Sequence, residues 1–401
     1  MKLPFSKNAE SAEAMPAGPA WMRRADLFLL ALAVLGLGLH TLVERTKEQK
    51  PQRHLEEKLG AASRALRCFE AIRLQRVGTP GAADRENDPE ASGLIGQEHS
   101  LTTTDRGVLE AKLTSVNPNF AAVFVDYFRT LGLRPGEAVA ISLTGSFPAL
   151  NICILAAADE LKLKPVVITS VGASMWGAND PEFGWLDMES FLRDKALLSA
   201  HSVGASLGGS NDRGRGMSPK GRALLRTAIE RNGVPLIDES TLDRSVQRRL
   251  EIYDREAGPG RIRAFVNVGG GAASVGDQMG ADLVKPGVNR TLPLYNWSQR
   301  GVMQFYARRG VPIIHVLNVE SIARRYGLPV APDRVPPVGQ GEIFYREVYD
   351  LRIAVPALAL YLVLCFGVLR ARQKAVRTAQ EVADPLIPGV TTEAIGEKTG
   401  G

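Results

Sequence analysis

Glu137-Ala-Val-Ala-Ile-Ser-Leu-Thr-Gly-Ser-Phe-Pro-Ala-Leu-Asn-Ile-Cys-Ile-Leu-Ala-Ala-Ala-Asp-Glu-Leu161 is the run that sets the fold class. Glu137–Leu143 is apolar over nearly its whole length, as a strand buried on both sheet faces requires. Thr144-Gly145-Ser146 ends that strand, and the apolar segment Pro148–Leu161 predicts a buried helix. Pro165–Ser170 is a second strand of the same character. Strand, polar turn, helix and strand form one unit with parallel pairing.

The alternation extends in both directions. Upstream, Thr102–Leu113 and Asn119–Leu131 read as helices, with Thr102 or Thr103 as caps. Downstream, helices are predicted over Trp185–Leu198, Ser218–Asn232, Thr241–Ala257 and Gln299–Arg309. The strands between them are Pro235–Ile237, Ile262–Val268 and Val311–Leu317. This rhythm predicts an α/β domain with a doubly wound, mostly parallel sheet and helices on both faces. No internal repeat is evident.

Two apolar runs bracket this domain. Leu27–Val43 follows Arg23 and Arg24, and Ile353–Leu369 precedes Arg370, Arg372, Lys374 and Arg377. Each is about 17 residues, the short end of what crosses a bilayer as a helix. His40–Glu44 offers no small-x-small cleavage site, so the first run reads as an uncleaved anchor. Both basic clusters lie on the terminal side, which predicts cytoplasmic termini and an extracytoplasmic middle. The expected organisation is a cytoplasmic tail (1–25), a transmembrane helix (26–43), an amphipathic helix and linker (44–94), the α/β domain (95–340), a connector (341–352), a transmembrane helix (353–369) and a second tail (370–401). Pro51–Arg76 is the amphipathic helix, Gly78–Ser92 the linker and Ala331–Gly341 a Pro/Gly-rich lead into the connector. The localisation this implies is a bacterial inner membrane, crossed twice.

Composition agrees with an anchored globular protein: 45% of residues are hydrophobic and 23% charged, enough to bury a sizeable core. A net charge of +6 is modest and partly juxtamembrane, where it suits an anionic lipid surface. Nucleic acid is not expected as a partner, because no binding motif is present. Cys365 lies in the second apolar run, leaving Cys68 and Cys153, for which a bridge outside the membrane is the alternative to the commoner outcome, a buried free thiol at Cys153. His54, His99, His201 and His315 are isolated in sequence, so metal binding has no support, and no cofactor is expected.

In a parallel sheet, ligands bind beyond the carboxyl ends of the strands. Two strand ends carry suitable chemistry. One is Thr144, Gly145 and Ser146, whose hydroxyls and following helix suit an anion. The other is Gly269, Gly270 and Gly271 with Ser274, where glycines let backbone approach a ligand. Both are also ordinary ways to turn after a strand. Ser146 is a weak nucleophile candidate, since Gly-x-Ser-x-Gly is absent; His201 or His315 is then the base and Asp238 or Asp277 the orienting acid. Asp180, Glu182 and Asp187 read as solvated loop charges, and Trp176 and Trp185 as packing residues or ligand-stacking rings. Arg213, Arg215, Lys220 and Arg222 place four cations on a glycine-rich loop entering a helix N-terminus, where acids are the favoured residues, and so suggest polyanion binding.

Three segments are similar to the poly-gamma-glutamate system protein family: Ala140–Asn151, Thr169–Asn179 and Val266–Gly271. The resemblance spans both anchors and the domain between them. It implies an accessory role in synthesis or export of a capsule-type polymer, with membrane subunits of the synthase as partners. It supplies no catalytic residues, but gives the cationic loop a candidate ligand, poly-gamma-glutamate, with one carboxylate per residue. A fainter likeness, through the strand–Thr144-Gly145-Ser146–helix segment, is to sugar-isomerase phosphate-binding domains. The expectation is therefore an accessory envelope protein, with enzymatic activity left open; the alternatives are an extracytoplasmic hydrolase or transferase acting on the polymer, and a small-anion sensor.

Overall fold

The computed structural model describes residues 20–76, 86–277, 282–293 and 297–383. Residues 1–19 and 384–401 of the expected tails, and 78–85 of the expected linker, lie outside the described residues. The chain divides into two compact units, Met1–Gln49 with Glu347–Gly401, and Lys50–Arg346.

The first unit holds two long helices, Ala20–Arg45 and Leu351–Ala383. Within them, Leu27–Arg45 and Leu351–Thr378 are long and apolar enough to cross a membrane, with none of either span buried. Leu27, Phe28, Leu30, Val34 and Leu37 on one, and Leu358, Leu362, Val363 and Phe366 on the other, are exposed. Soluble monomers rarely present apolar surface on this scale, so the helices are consistent with a two-pass membrane protein. The two helices pack together, and a Cβ at Gly36 would lie 2.9 Å from the Tyr361 ring, the close approach that small residues allow between membrane helices. Both helices exceed the predicted runs, because backbone hydrogen bonding continues past the apolar stretch into the basic flanks.

Ten strands are described: β1 (Glu48–Pro51), β2 (Thr103–Asp105), β3 (Ala138–Thr144), β4 (Lys164–Ser170), β5 (Ala173–Ser174), β6 (Ser202–Ser206), β7 (Ile262–Val268), β8 (Gly287–Asn289), β9 (Ile313–Val316) and β10 (Tyr345–Val348). β1 pairs with β10 and β2 with β5, while the remaining six form one sheet in the order β6-β4-β3-β7-β9-β8. Every pairing in that sheet is parallel except β8 with β9. The α/β class with a mostly parallel sheet is therefore as predicted.

Alternate residues of β3 enter two separate cores. Val139, Ile141 and Leu143 join Phe124 and Leu155, whereas Ala138 and Ala140 join Val246, Tyr253 and Phe265. The helix Pro148–Glu160 is buried from Pro148 to Ala158, as a helix apolar on all sides must be. It packs against Phe120–Thr130 and Leu55–Arg76, and the latter buries Ala61, Ala65, Cys68 and Ile72. Cys68 and Cys153 are both buried and free.

Several predicted elements change. Thr103–Asp105 is a strand, and the helix starts only at Leu109. A Cβ at Gly107 would lie 2.5 Å from the Met175 carbonyl oxygen, an approach that a side chain in a continuous helix cannot make. The helix from Trp185 stops at Asp194, and Ala196 takes φ +54°. Pro235–Ile237 makes only an isolated bridge, Leu236 with Ala205. Strands β6 and β8 and the helix Val319–Arg325 had no sequence counterpart.

Candidate functional site

Because β6, β4, β3 and β7 are parallel neighbours, their carboxyl ends share one edge, which brings the two predicted turns together. Thr144 Oγ1 donates to the Val268 carbonyl at 3.3 Å, and the Ser146 N–H donates to Thr144 Oγ1 at 3.3 Å. Gly269 has φ +87°, and a Cβ there would lie 2.5 Å from Thr144 Oγ1, so both conformation and space require glycine. A Cβ on Gly271 would meet Thr144 Cγ2 at 3.1 Å and Ser170 Oγ at 3.6 Å. Gly270 is exposed with open space around it. Thr144, Ser170, Gly269 and Gly271 thus form one contact set at the edge. The helix Ala272–Val275 is too short to add a helix-dipole site, and Ser274 is buried with no partner for its hydroxyl among the described residues. Gly145 is covered rather than open: a Cβ there would lie 2.4 Å from the Val171 carbonyl oxygen.

Beneath the edge lies a buried ion pair absent from the sequence reading. Arg249 Nη2 and Asp212 Oδ2 are 3.0 Å apart, and both side chains are 1% exposed. Asp212 also accepts from the hydroxyls of Ser206 at 2.6 Å, Ser245 at 2.5 Å and Ser170 at 3.2 Å. Arg249 Nη2 donates to Ser170 Oγ at 3.0 Å and Ser206 Oγ at 2.7 Å, and its Nη1 has no partner among the described residues. Asp212, in the left-handed region at φ +60°, is the residue that moors the cationic loop to the ends of β4 and β6. A signal for Arg249 existed: Leu242, Val246, Arg249 and Tyr253 follow helical spacing, which puts an arginine on the buried stripe.

The four predicted cations differ in circumstance. Arg213 pairs with Asp238 at 3.4 Å, an acid it shares with Arg226 at 2.7 Å. These guanidinium groups hold the Asp238 carboxyl below its usual range. Arg222 is half-buried and donates to the Met217 carbonyl at 2.6 Å. Arg215 and Lys220 are exposed and in no ion pair among the described residues. Ser218 caps the following helix by accepting from the Gly221 N–H at 3.0 Å.

Ser146 has neighbours other than the histidines. Its Oγ accepts from the Ser174 N–H at 3.0 Å. The buried Lys112 donates to the Ser146 carbonyl and to Ser174 Oγ, the latter at 2.8 Å. Its Nζ lies 3.9 Å from the Phe147 ring centroid. Burial pushes the Lys112 amine down to about 7. His315 is instead buried with Nδ1 3.1 Å from Asn267 Nδ2, and His201 is exposed just before β6, at the opposite edge of the sheet. Asp277 bonds Ser298. No triad therefore assembles on Ser146 from those groups.

Trp185 is wholly buried in the core and unavailable for stacking, while Trp176 is half-buried at φ +58°. Asp180 and Asp187, read from sequence as solvated loop charges, are instead paired with Arg76 at 2.7 Å and Arg231 at 2.5 Å, tying the loop to neighbouring helices. Among the described residues no cluster of three or more His, Cys, Asp or Glu is placed to hold a metal ion. A cleft of about 540 Å³ opens at the amino edge of the sheet, lined by Glu137, Lys164, Arg261 and Arg263. Comparison with family models, with curated proteins and with solved structures returned no match.

Proposed function

We propose that this chain is a two-pass inner-membrane protein whose α/β body, doubly wound about the junction of β3 and β7, lies outside the cytoplasm and binds an anionic polymer. In that reading it is an accessory protein of poly-gamma-glutamate synthesis or export, in contact with polymer or with membrane subunits of the synthase. The observation that supports it is the cationic loop. Arg215 and Lys220 stand exposed, in no ion pair among the described residues, on backbone that Asp212 fixes beside the carboxyl edge of a parallel sheet, where ligands commonly bind. The exposed apolar helices supply the membrane attachment, and the flanking basic residues favour both termini in the cytoplasm. A repeating carboxylate chain suits spaced exposed cations better than a closed pocket, because each contact is weak and the sum is multivalent.

The test is binding of labelled poly-gamma-glutamate to the full-length protein in nanodiscs. Affinity should fall as salt rises from low to physiological concentration. Replacing Arg213, Arg215, Lys220 and Arg222 together by Gln should weaken binding about tenfold or more, equivalent to about 1.4 kcal/mol. Equal binding by the quadruple variant, with its circular dichroism unchanged, removes the loop from the account. No binding at low salt removes the polymer.

A further inference from the structure

We propose that Ser174 and Lys112 form a nucleophile–base pair that cleaves an amide or ester by acyl transfer, a function separate from polyanion binding. The contact is direct: Lys112 Nζ lies 2.8 Å from Ser174 Oγ, within the reach that proton transfer needs. Lys112 is 2% exposed, so the base is dry, whereas Ser174 and Ser146 are only partly buried. Among the described residues no carboxylate pairs with Lys112, and its other polar contact is the Ser146 carbonyl. Burial is the only cause of the lowered amine, with no neighbouring charge contributing. The Phe147 face works against this, because a ring beneath the amine favours the ammonium.

The surroundings suit the chemistry. The helix Pro148–Glu160 begins in the same turn, and Phe147 at its N-cap provides no side-chain cap. The positive end of that helix disfavours an ammonium nearby and favours negative charge developing on a carbonyl oxygen. Ser146 Oγ, bonded to the Ser174 N–H, positions the segment that carries the nucleophile.

The step balances without a co-reactant other than water. Lys112 as free amine takes the Ser174 hydroxyl proton while Oγ adds to the substrate carbonyl carbon, and the carbonyl π pair moves onto oxygen. Collapse restores the C=O bond and breaks the bond to the leaving nitrogen or oxygen, which takes the proton back from Lys112. Water then attacks the acyl ester on Ser174, with Lys112 again accepting a proton. The second adduct expels Ser174 Oγ, which recovers that proton as the carboxylic acid departs.

The experiment is covalent labelling of full-length protein in nanodiscs with a tagged alkyl fluorophosphonate, mapped by peptide mass spectrometry from pH 6 to pH 9. The expected adduct is on Ser174, with a rate that rises about tenfold per pH unit below the Lys112 midpoint and levels off above it. Labelling should vanish in Ser174→Ala and in Lys112→Met, and should survive on Ser174 in Ser146→Ala. The native protein alone decides the matter if a variant misfolds. An adduct on a different serine, a flat pH profile, or no adduct up to pH 9 overturns the proposal.

Discussion

Arg249 and Lys112 are both buried cations at the carboxyl edge of the sheet, and they are buried in opposite ways. Arg249 meets a carboxylate, Asp212, within a ring of three serine hydroxyls. Lys112 meets a carbonyl, a hydroxyl and an aromatic ring, with no carboxylate paired to it among the described residues. A buried charge with its counterion stays charged and fixes structure, because either partner alone is left uncompensated. A buried amine without one sheds its charge instead. One cation therefore holds a loop in place, and the other is suited to proton exchange. Glu189 is the acidic mirror of Lys112: buried, bonded to the Ser202 N–H at 2.8 Å and hydroxyl at 3.0 Å, and pushed up to about 7 by burial.

This contrast can be broken most forcefully at Asp212. Asp212→Asn leaves Arg249 buried without its counterion and should cost about 3–5 kcal/mol in denaturant unfolding. A cost below about 1 kcal/mol means the pair is not what moors the loop. Lys112→Met should cost much less, about 1 kcal/mol from lost hydrogen bonds, and the deficit should depend on pH. Between about pH 7 and the unfolded lysine value near 10.4, the unfolded chain holds a proton that the native state lacks. Wild-type stability therefore rises with pH relative to the variant across that window, and a parallel pair of curves contradicts the lowered amine. Glu189→Gln should give the smallest effect and the opposite sign. The wild-type carboxyl favours the native state at acid pH, and that advantage is lost as pH rises from about 4.5 through 7. The variant should then gain relative to wild type over the same interval and run level above it.

The sheet's centre was legible because β3 and β7 are continuous apolar runs, which only burial on both faces explains. β6 was not, because Ser202-Val-Gly-Ala-Ser206 is short and mostly small, and its burial comes from Ile237 and Ile252 packing over Gly204. Thr103–Asp105 misled, since its strand exists only through pairing with β5 some seventy residues away. At the site, both glycine- and hydroxyl-bearing turns were readable from their place after strands. Their meeting was not, because it depends on β3 lying beside β7. Four cations hid Asp212, the loop's buried anchor. Lys112 left no trace in its own segment, because Ser146, Phe147 and Ser174 bury it only after folding.

An encounter with exported polymer requires the α/β body to lie on the outer side of the inner membrane. Arg215→Cys places a reactive thiol on the exposed loop, while Cys68 and Cys153 are buried and Cys365 lies in an apolar helix. Intact bacterial cells expressing this variant should be labelled by a membrane-impermeant maleimide without lysis. Labelling that appears only after the inner membrane is opened would contradict an extracytoplasmic body, and with it the proposed encounter with exported polymer.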